Sequence, residues 1–374
     1  MLKVRDFYKK INDFAPFNSS YSWDNTGLLV GDMDQNVSTI LISLDVTDAI
    51  VDYAISENVD LIISHHPIIF QALKSVTQKK ILKIIANNIS VICAHTNLDI
   101  AKNGLNYVLA RTLDLHNIKT LSLSSEISQY QISVYVPLGR DLDKKSDSDN
   151  YFDKVKNAMH QAGAGIIGNY NHCLADYKVN GHFMPMQDSQ PFIGKKEIQE
   201  DLTEIKIEML CEQTNLSKVI NSMLKAHPYE TPVYYVIPLA QKSSNYGLGC
   251  YGELQDELSL QALAEKVKYK LSAPFVKLWT ADKEKDSIIK TVAVCGGSGH
   301  TLIAEAKTMA DVLITGDITY HPMLDSTIPL IDAGHFYTEN IITDFLSDMF
   351  KDFDCCVKLV DAKIHNINKL SIII

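Results

Sequence analysis

Short apolar runs rich in β-branched residues alternate with amphipathic segments through the first third of the chain. The runs VSTILISL (37–44), VDLIIS (59–64) and SVICA (90–94) each have the length of one buried strand. Helical patterns separate and follow them at 48–58, 79–88 and 103–113. Strands that alternate with helices build βαβ units, so this region predicts a parallel sheet covered by helices on both faces.

The last third repeats this alternation. Strands are predicted at 291–295, 310–315, 329–332 and 355–360, with a helix to about 309 and another at 335–350. The segments AISENVDLIISHHPIIF (54–70) and AKTMADVLITGDITYHPML (306–324) share a helix end, an Asp, an apolar strand and a polar turn with His-Pro. This weak similarity indicates a duplicated α/β unit with parallel-rich sheets.

The middle of the chain has a different pattern. After a strand at 131–136 and a polar break at 142–150 come a helix, a strand pair, a strand, a helix and a strand, at 151–163, about 165–184, 204–210, 215–226 and 233–237. This βαββαβ order is ferredoxin-like, and such a unit has neighbouring ends that suit insertion into a loop. The sequence thus predicts an α+β insertion at 126–240 and one discontinuous α/β domain from 1–125 plus 241–374.

Composition limits the class of protein. The 374 residues suit two or three domains at about 150 residues each, and the net charge of −10 gives no bulk electrostatic reason to bind nucleic acid or an anionic membrane. A local basic groove stays compatible with that charge. There is no apolar run long enough for a membrane helix and no signal-peptide pattern, while the seven scattered cysteines fit reduced thiols. We therefore expect a cytoplasmic protein.

Residues with ligand chemistry follow the predicted strands. They are Asp45, His65, His66, His95, Asp99, Asp317, His321, His335 and Glu339. Since ligands bind beyond the carboxyl ends of parallel strands, we expect these side chains at one edge.

Each of these residues alone has an ordinary interpretation. An Asp at a turn usually caps the next helix, and adjacent histidines in a turn are usually solvated. Together, however, His65, His66, Asp99, His335 and Glu339 form a set typical of zinc, iron or manganese. His335 and Glu339 are four residues apart and share a helix face. Five ligands exceed the need of one tetrahedral zinc site and fit two ions roughly 3.5–4 Å apart.

The remaining candidates surround this set. His95, His321 and Asp317 are candidates for orienting the ligands or carrying protons, with His95 and His321 as the tentative catalytic residues. The segment GGSG (296–299) follows a strand and could cradle a phosphate. It lacks the lysine of a P-loop, so an ordinary tight turn is the favoured interpretation.

A second site in the middle segment is a weaker hypothesis. His172, His182 and His227 occur there with Tyr229 and Glu230. The whole sequence contains no GxSxG motif and no convincing cysteine nucleophile, so it does not indicate covalent catalysis.

The chain resembles the NIF-three-like dinuclear metal family, the GTP cyclohydrolase I type 2 homologues. The matching motifs are SWDNTGLLVGD (22–32), SHHPIIF (64–70), AHTNLDIAKNGLN (94–106), GDITYH (316–321) and DAGHFYTE (332–339). In the middle, HQAGAGIIGNYNHC (160–173) and KAHPYETPVYYV (225–236) resemble the PII/CutA-like insertion of some bacterial members. The resemblance implies the same five ligands for two divalent ions and a toroidal homohexamer.

Two classes of function remain open at this point. The first is a metal-dependent hydrolase of a nucleotide or another phosphate-bearing small molecule, since a divalent ion lowers the pKa of water to about 7. The second is a non-catalytic, metal-loaded hexameric ring with a regulatory or binding role. A nucleic-acid partner is a weaker third interpretation because of the acidic charge.

Overall fold

The computed structural model of the chain describes residues 1–124, 127–138 and 150–360. Its contacts divide the chain into two units. The first comprises Met1–Ser124 and Asn245–Ile374, and the second comprises Ser125–Ser244. Each described helix is too short or too polar to cross a lipid bilayer. Both units have hydrophobic cores of their own.

The first sheet of the first unit combines parallel strands with an antiparallel edge strand. Its described strands are β1 (Gly27–Val30), β2 (Thr39–Ser43), β3 (Leu61–Ser64), β4 (Ser90–Cys93) and β15 (Cys356–Leu359). They lie in the order β1-β4-β3-β2-β15, and only the β1–β4 pairing is antiparallel. Every residue of β3 and β4 is buried, as expected for parallel strands covered on both faces.

Alternate residues of this sheet face two different cores. The covering helices are α1 (Val4–Phe14), α2 (Asp48–Ser56), α3 (Lys79–Ala86) and α12 (Ile341–Met349). Ile40 and Ile42 pack with α1 and α12, whereas Leu41 and Ile62 pack with α2 and α3. This is the period of two expected of a strand. Full burial of each such side chain contributes roughly 1.5–3 kcal/mol to the free energy of folding, so packing on both faces stabilises the sheet.

The second sheet of the first unit is also mixed. Its described strands are β5 (His116–Leu123), β10 (Gly247–Ser259), β11 (Lys277–Trp279), β12 (Ile288–Ser298), β13 (Val312–Gly316) and β14 (Leu330–Asp332). They lie in the order β11-β14-β13-β12-β10-β5, with parallel pairing only among β12, β13 and β14. The other described helices of this unit are α4 (Thr96–Ile100), α5 (Leu105–Thr112), α8 (Leu260–Lys270), α9 (Ile303–Met309), α10 (Tyr320–Leu324) and α11 (His335–Glu339).

One predicted helix is wrong as a single element. The segment 335–350 contains α11 and α12, which meet at Asn340. The backbone amide and the hydroxyl of Thr343 both donate to the Asn340 carbonyl, at 3.1 and 2.7 Å, and so begin the second helix. The break lets Glu339 end α11 while α12 directs Ile342 and Leu346 into the core.

Strand register places the ligand candidates at the sheet edges. Ser43 pairs with Ser64, and Ser64 pairs with Cys93, so β2, β3 and β4 end level with one another. In the other sheet Thr315 pairs with Asp332, and β13 and β14 also end together. The loops after these ends, with α4 and α11, carry the candidate residues of the site.

The second unit contains an antiparallel sheet and two helices. Its described elements are β6 (Ser128–Pro137), α6 (Tyr151–Ala162), β7 (Ala175–Phe183), β8 (Glu200–Glu212), α7 (Leu216–Ala226) and β9 (Tyr234–Lys242). The strand order is β7-β8-β6-β9. The strand pair predicted at about 165–184 is a single strand, β7, preceded by an isolated bridge between Ile167 and Tyr170. The predicted polar break at 142–150 lies outside the described residues except for Asn150.

Candidate metal centre

His65 and Asp99 each contribute one buried hydrogen-bond acceptor, and the two acceptors face each other. The His65 ring is fully buried, and its Nδ1 donates to the Ala94 carbonyl at 2.8 Å. A carbonyl can only accept, so the neutral ring carries its lone pair on Nε2. That Nε2 lies 3.3 Å from Asp99 Oδ1, and neither atom has a hydrogen-bond partner among the described residues. Two facing acceptors require a proton or a cation between them.

Glu339 joins histidines from two different segments. One oxygen, Oε2, lies 2.9 Å from His66 Nε2 and 2.8 Å from His335 Nε2. The carboxylate is nearly fully buried. Gly297 has a φ of +60°, and a Cβ there would lie 2.3 Å from Glu339 Oε1. Glycine is therefore needed both for the backbone conformation and for room beside the carboxylate.

Carboxylates also orient the outer nitrogens of these rings. Asp45 Oδ1 bonds His66 Nδ1 at 2.8 Å, and Asp317 Oδ2 bonds His335 Nδ1 at 2.7 Å. Carboxylate and carbonyl partners of this kind fix ring orientation in metal-binding histidines. The arrangement thus leaves Nε2 of His66 and of His335 directed at Glu339.

His95 completes a cluster of imidazoles. Its ring centroid lies 5.2 Å from that of His65 and 5.5 Å from that of His66. Its Nδ1 bonds Asp24 Oδ1 at 2.9 Å, and Asp24 Oδ2 accepts from both the amide and the hydroxyl of Thr96. These bonds outweigh burial, which alone raises the pKa of Asp24, and lower that pKa to about 2.

The pKa values follow from these contacts. Burial lowers the pKa of His66, but hydrogen bonds to Asp45 and Glu339 outweigh it and raise that pKa to about 10. The hydrogen bond to Glu339 raises the pKa of His335 to about 9 despite burial. Burial alone raises the pKa of Glu339, yet both imidazoles hold it well below its usual range. Each pair therefore favours positive charge beside the carboxylate, carried by a proton or by a metal ion.

The donor set fits a divalent metal. Ligand atoms of His65, His66 and His95 lie within 4.8 Å of one another, and so do those of His66, His335 and Glu339. Nitrogen and carboxylate oxygen donors suit zinc, iron and manganese. The surrounding carboxylates of Asp24, Asp45, Asp99 and Asp317 leave this edge with excess negative charge, which divalent cations would offset.

The structure brings the predicted ligands together and places His95, one of the two tentative catalytic histidines, beside them. His65, His66, Asp99, His335 and Glu339 adjoin one another, and His95 lies with them. His321 is exposed on α10 and belongs to neither of the two described groups. Its role stays a prediction.

Asp24 is a site residue that the strand-end rule missed. It lies in a loop before β1, where no predicted strand points to it. Its signal was the motif at 22–32, which contains it.

Three of the four backbone amides of the glycine-rich segment 296–299 have partners within the protein. Gly296 N donates to Asn106 Oδ1 at 2.9 Å, Gly297 N to Thr338 Oγ1 at 3.0 Å, and Gly299 N to Thr315 Oγ1 at 2.8 Å. With the three glycine amides used internally, the segment lies beside Glu339 as an ordinary tight turn, the interpretation that the sequence favoured.

The fold and the site define a mixed α/β protein with His and Glu groups that could hold a metal ion. The chain belongs to the Duf34/NIF3 (NGG1p interacting factor 3) family, whose model matches residues 2–367. The prediction of the NIF-three-like family is thereby confirmed.

Relatives and solved structures share nearly the whole length. A Staphylococcus epidermidis protein named GTP cyclohydrolase 1 type 2 homolog is 35% identical over 358 residues, covering 94% of this chain and 93% of the relative. A Bacillus cereus protein related to NIF3 superposes with a TM-score of 0.80 at 32% identity, covering 96% and 97% of the two chains. A Staphylococcus aureus protein superposes with a TM-score of 0.73 at 29% identity, covering 100% and 99%.

Proposed function

We propose that the chain holds two divalent ions, zinc, iron or manganese, and hydrolyses a nucleotide-like or other phosphate-bearing small molecule. The observation that carries the proposal is the pair of buried acceptors, His65 Nε2 and Asp99 Oδ1, with no hydrogen-bond partner among the described residues. A cation satisfies both atoms at once. The name GTP cyclohydrolase 1 type 2 homolog, borne by relatives about one-third identical, supports the substrate class.

His65 and Asp99 would hold one ion, His335 and Glu339 the other, and His66 lies beside both pairs. Divalent ions supply Lewis acidity, which lowers the pKa of coordinated water to about 7 and polarises a substrate carbonyl or phosphoryl oxygen. The protein's own side chains would orient the metal ligands and carry protons. His95, held by Asp24, is the candidate proton carrier nearest to the cluster, with exposed His321 as the alternative.

An aromatic surface beside His95 supports a planar substrate. The Trp23 ring lies 6.3 Å from the His95 ring, 5.8 Å from Tyr21 in a stacked arrangement and 5.9 Å from Phe70. Trp23 is 57% exposed and Phe70 is 50% exposed, although both are large and apolar. Stacking on such rings contributes roughly 1–3 kcal/mol per base, which would position a nucleobase next to the cluster.

The second unit motivates an alternative function. We propose that 126–240 is a ferredoxin-like, PII/CutA-like domain inserted into the first unit, which spans 1–125 plus 241–374. Its βαββαβ element order supports this, as does the hydrogen bond between Ser124 N and Tyr246 O, which joins the two chain segments at the insertion point. A private core around Ile132, Val134 and Met159 suits a regulatory module on a non-catalytic, metal-loaded hexameric ring.

The test is metal reconstitution followed by a hydrolysis screen of nucleotides, GTP included, and other phosphate-bearing small molecules. We expect turnover that chelation abolishes and metal restores. His321→Ala should leave the metal content unchanged and slow turnover by about 10²–10⁴-fold if His321 carries the proton. The same loss in His95→Gln at full metal content would make His95 the carrier, whereas loss of an ion would make it a ligand. Full metal content without turnover on any substrate would favour the ring function, and light scattering of the purified protein would then check for the hexamer.

A further inference from the structure

A cavity of about 470 Å³ lies within the second unit. Its aromatic lining residues are Tyr135, Phe183, Phe192, Tyr229 and Tyr235. Met184, Met186 and Val233 add apolar surface. The size falls in the range of small-molecule sites, and an apolar lining with few polar groups is typical of them.

One carboxylate points into this apolar lining. Glu204 is 9% exposed, and its Oε1 accepts a hydrogen bond from the Tyr229 hydroxyl at 2.9 Å. No described residue donates to its Oε2. A Cβ at position 181 would lie 2.5 Å from that oxygen, so Gly181 leaves room beside it. A nearly buried side chain in the cavity lining, with one carboxylate oxygen that no described residue bonds, favours a ligand that donates a hydrogen bond or carries positive charge.

The neighbouring groups do not supply that charge. His227 donates from Nε2 to the Tyr135 carbonyl at 2.8 Å and accepts the Tyr229 amide on Nδ1 at 3.1 Å, so it is neutral and fixes the Tyr229 backbone. Burial lowers the pKa of His227, in agreement with that state. Lys206 Nζ lies 5.7 Å from the Tyr135 ring but is held by Glu208 at 2.7 Å.

A second carboxylate lies at the rim. Glu230 lines the cavity, and its Oε2 accepts the backbone amide of Gln190 at 2.8 Å. This bond ties the loop after β7 to the segment before β9. The lining residues include no Lys and no Arg. His182 also lines the cavity, but its Nδ1 bonds Asp201 Oδ1 at 2.6 Å. Two carboxylates with no lining Lys or Arg oppose an anionic ligand and favour a cationic one.

We propose that this cavity binds a small organic cation, an amine or quaternary ammonium group carried on an apolar or aromatic body. Glu204 would take the charge, and the rings of Tyr135, Tyr229 and Tyr235 would contact the cation and its apolar body. The site lies wholly in the second unit and does not depend on the metal centre. It gives the second unit a ligand of its own.

The test uses three probes of similar shape with the full-length protein: 2-phenylethylammonium, neutral 2-phenylethanol and anionic phenylacetate. Dissociation constants come from calorimetry or ligand-observed NMR up to millimolar concentration. We expect the cation to bind at least tenfold more tightly than either other probe. Glu204→Gln should remove that preference, whereas the matched control Asp176→Asn, which neutralises an exposed carboxylate of the same sheet outside the cavity, should keep it.

A second variant guards against misfolding of Glu204→Gln. Tyr235 is 52% exposed, so Tyr235→Leu should fold normally, and it should weaken the cation several-fold more than the alcohol because an aromatic face is lost. Equal affinities for cation and alcohol would overturn the proposal. So would an unchanged preference in folded Glu204→Gln, or no binding of the cation at millimolar concentration.

Discussion

His66 and His335 of the first unit and His160 and His227 of the second have opposite surroundings. In the first unit His66 and His335 each contact two carboxylates, and their pKa values are raised to about 10 and about 9. In the second unit His160 and His227 bond backbone carbonyls at 3.1 and 2.8 Å, and burial lowers the pKa of both. These histidines therefore favour the positively charged form in the first unit and the neutral form, packed in the core, in the second.

His65 shows which contact raises the pKa of a histidine in spite of burial. One of its ring nitrogens, Nδ1, bonds a backbone carbonyl, as Nδ1 of His160 and Nε2 of His227 do, yet its other nitrogen, Nε2, faces Asp99. Despite complete burial, which lowers the pKa of His65, the charges of Asp99 and Glu339 raise it. A carboxylate on the inner nitrogen therefore distinguishes a metal or proton site from a core histidine.

The largest expected effect concerns Glu339. Glu339→Gln removes the charge that faces His66 and His335, so metal affinity should fall by more than about 100-fold. His227→Gln in the second unit should leave the affinity within about twofold. Competition of a fluorescent zinc indicator with each purified variant measures both. Wild-type affinity in Glu339→Gln would remove this carboxylate from the site, and Glu257→Gln, an exposed carboxylate of the same unit, serves as the charge control.

Asp24→Asn should have the next largest effect. It removes the carboxylate that orients His95 while leaving the shape of the side chain, and loss of such a partner typically costs about 10–100-fold in affinity or activity. Steady-state kinetics on the substrate found by the screen would show this in kcat. A change confined to thermal stability would instead make Asp24 a structural cap of the loop at Thr96.

The two units should respond to pH with opposite signs once metal is removed. The raised pKa values of His66 and His335 give the first unit stability that is fully present below pH 6.5 and lost as pH rises through about 9 to 10. The lowered pKa values of His160 and His227 give the second unit stability present above pH 6.5 and lost as pH falls below it.

Hydrogen exchange of chelated protein from pH 5 to pH 10, with rates corrected for intrinsic exchange, resolves the two units. Both tryptophans, Trp23 and Trp279, belong to the first unit, so their fluorescence in thermal melts reports that unit separately. Loss of protection in both units at the same pH extreme would contradict the opposite pH responses expected from their histidines.

The smallest expected effect is that of removing the second unit. Ser124 N donates to Tyr246 O at 2.9 Å, and Leu123 pairs with Gly247, so a short Gly/Ser linker should replace 125–244 without strain. Metal affinity should stay within about twofold of the intact chain. An insoluble product, or one without metal, would show that the first unit depends on the second for folding.

Sequence alone predicted the buried parallel strands well because a short, uninterrupted apolar run is typical of a strand that is buried on both faces. β2, β3 and β4 lie within the predicted runs, and β13 extends one residue beyond its predicted run. β1, β5 and β10 were missed because half-exposed antiparallel strands, with polar residues or glycines, carry no such run. Because these strands pair antiparallel with their neighbours, both sheets are mixed and not purely parallel.

The site was predictable where it follows strand ends and not elsewhere. His65, His66 and Asp99 follow β3 and β4, which the apolar runs located. Asp24 precedes a missed strand, and its bond to His95 spans distant segments that no local pattern relates. The 3.3 Å approach of His65 Nε2 to Asp99 depends on register and rotamers, which spacing does not determine.

Metal stoichiometry tests the central claim most directly. Untagged protein would be stripped with a chelator, reconstituted separately with zinc, iron(II) under anaerobic conditions and manganese, freed of excess ion, and analysed by inductively coupled plasma mass spectrometry against quantitative amino-acid analysis. We expect two ions per chain for at least one metal, falling to one or fewer in Glu339→Gln and unchanged in Glu257→Gln. One ion or fewer per wild-type chain with all three metals would contradict the account.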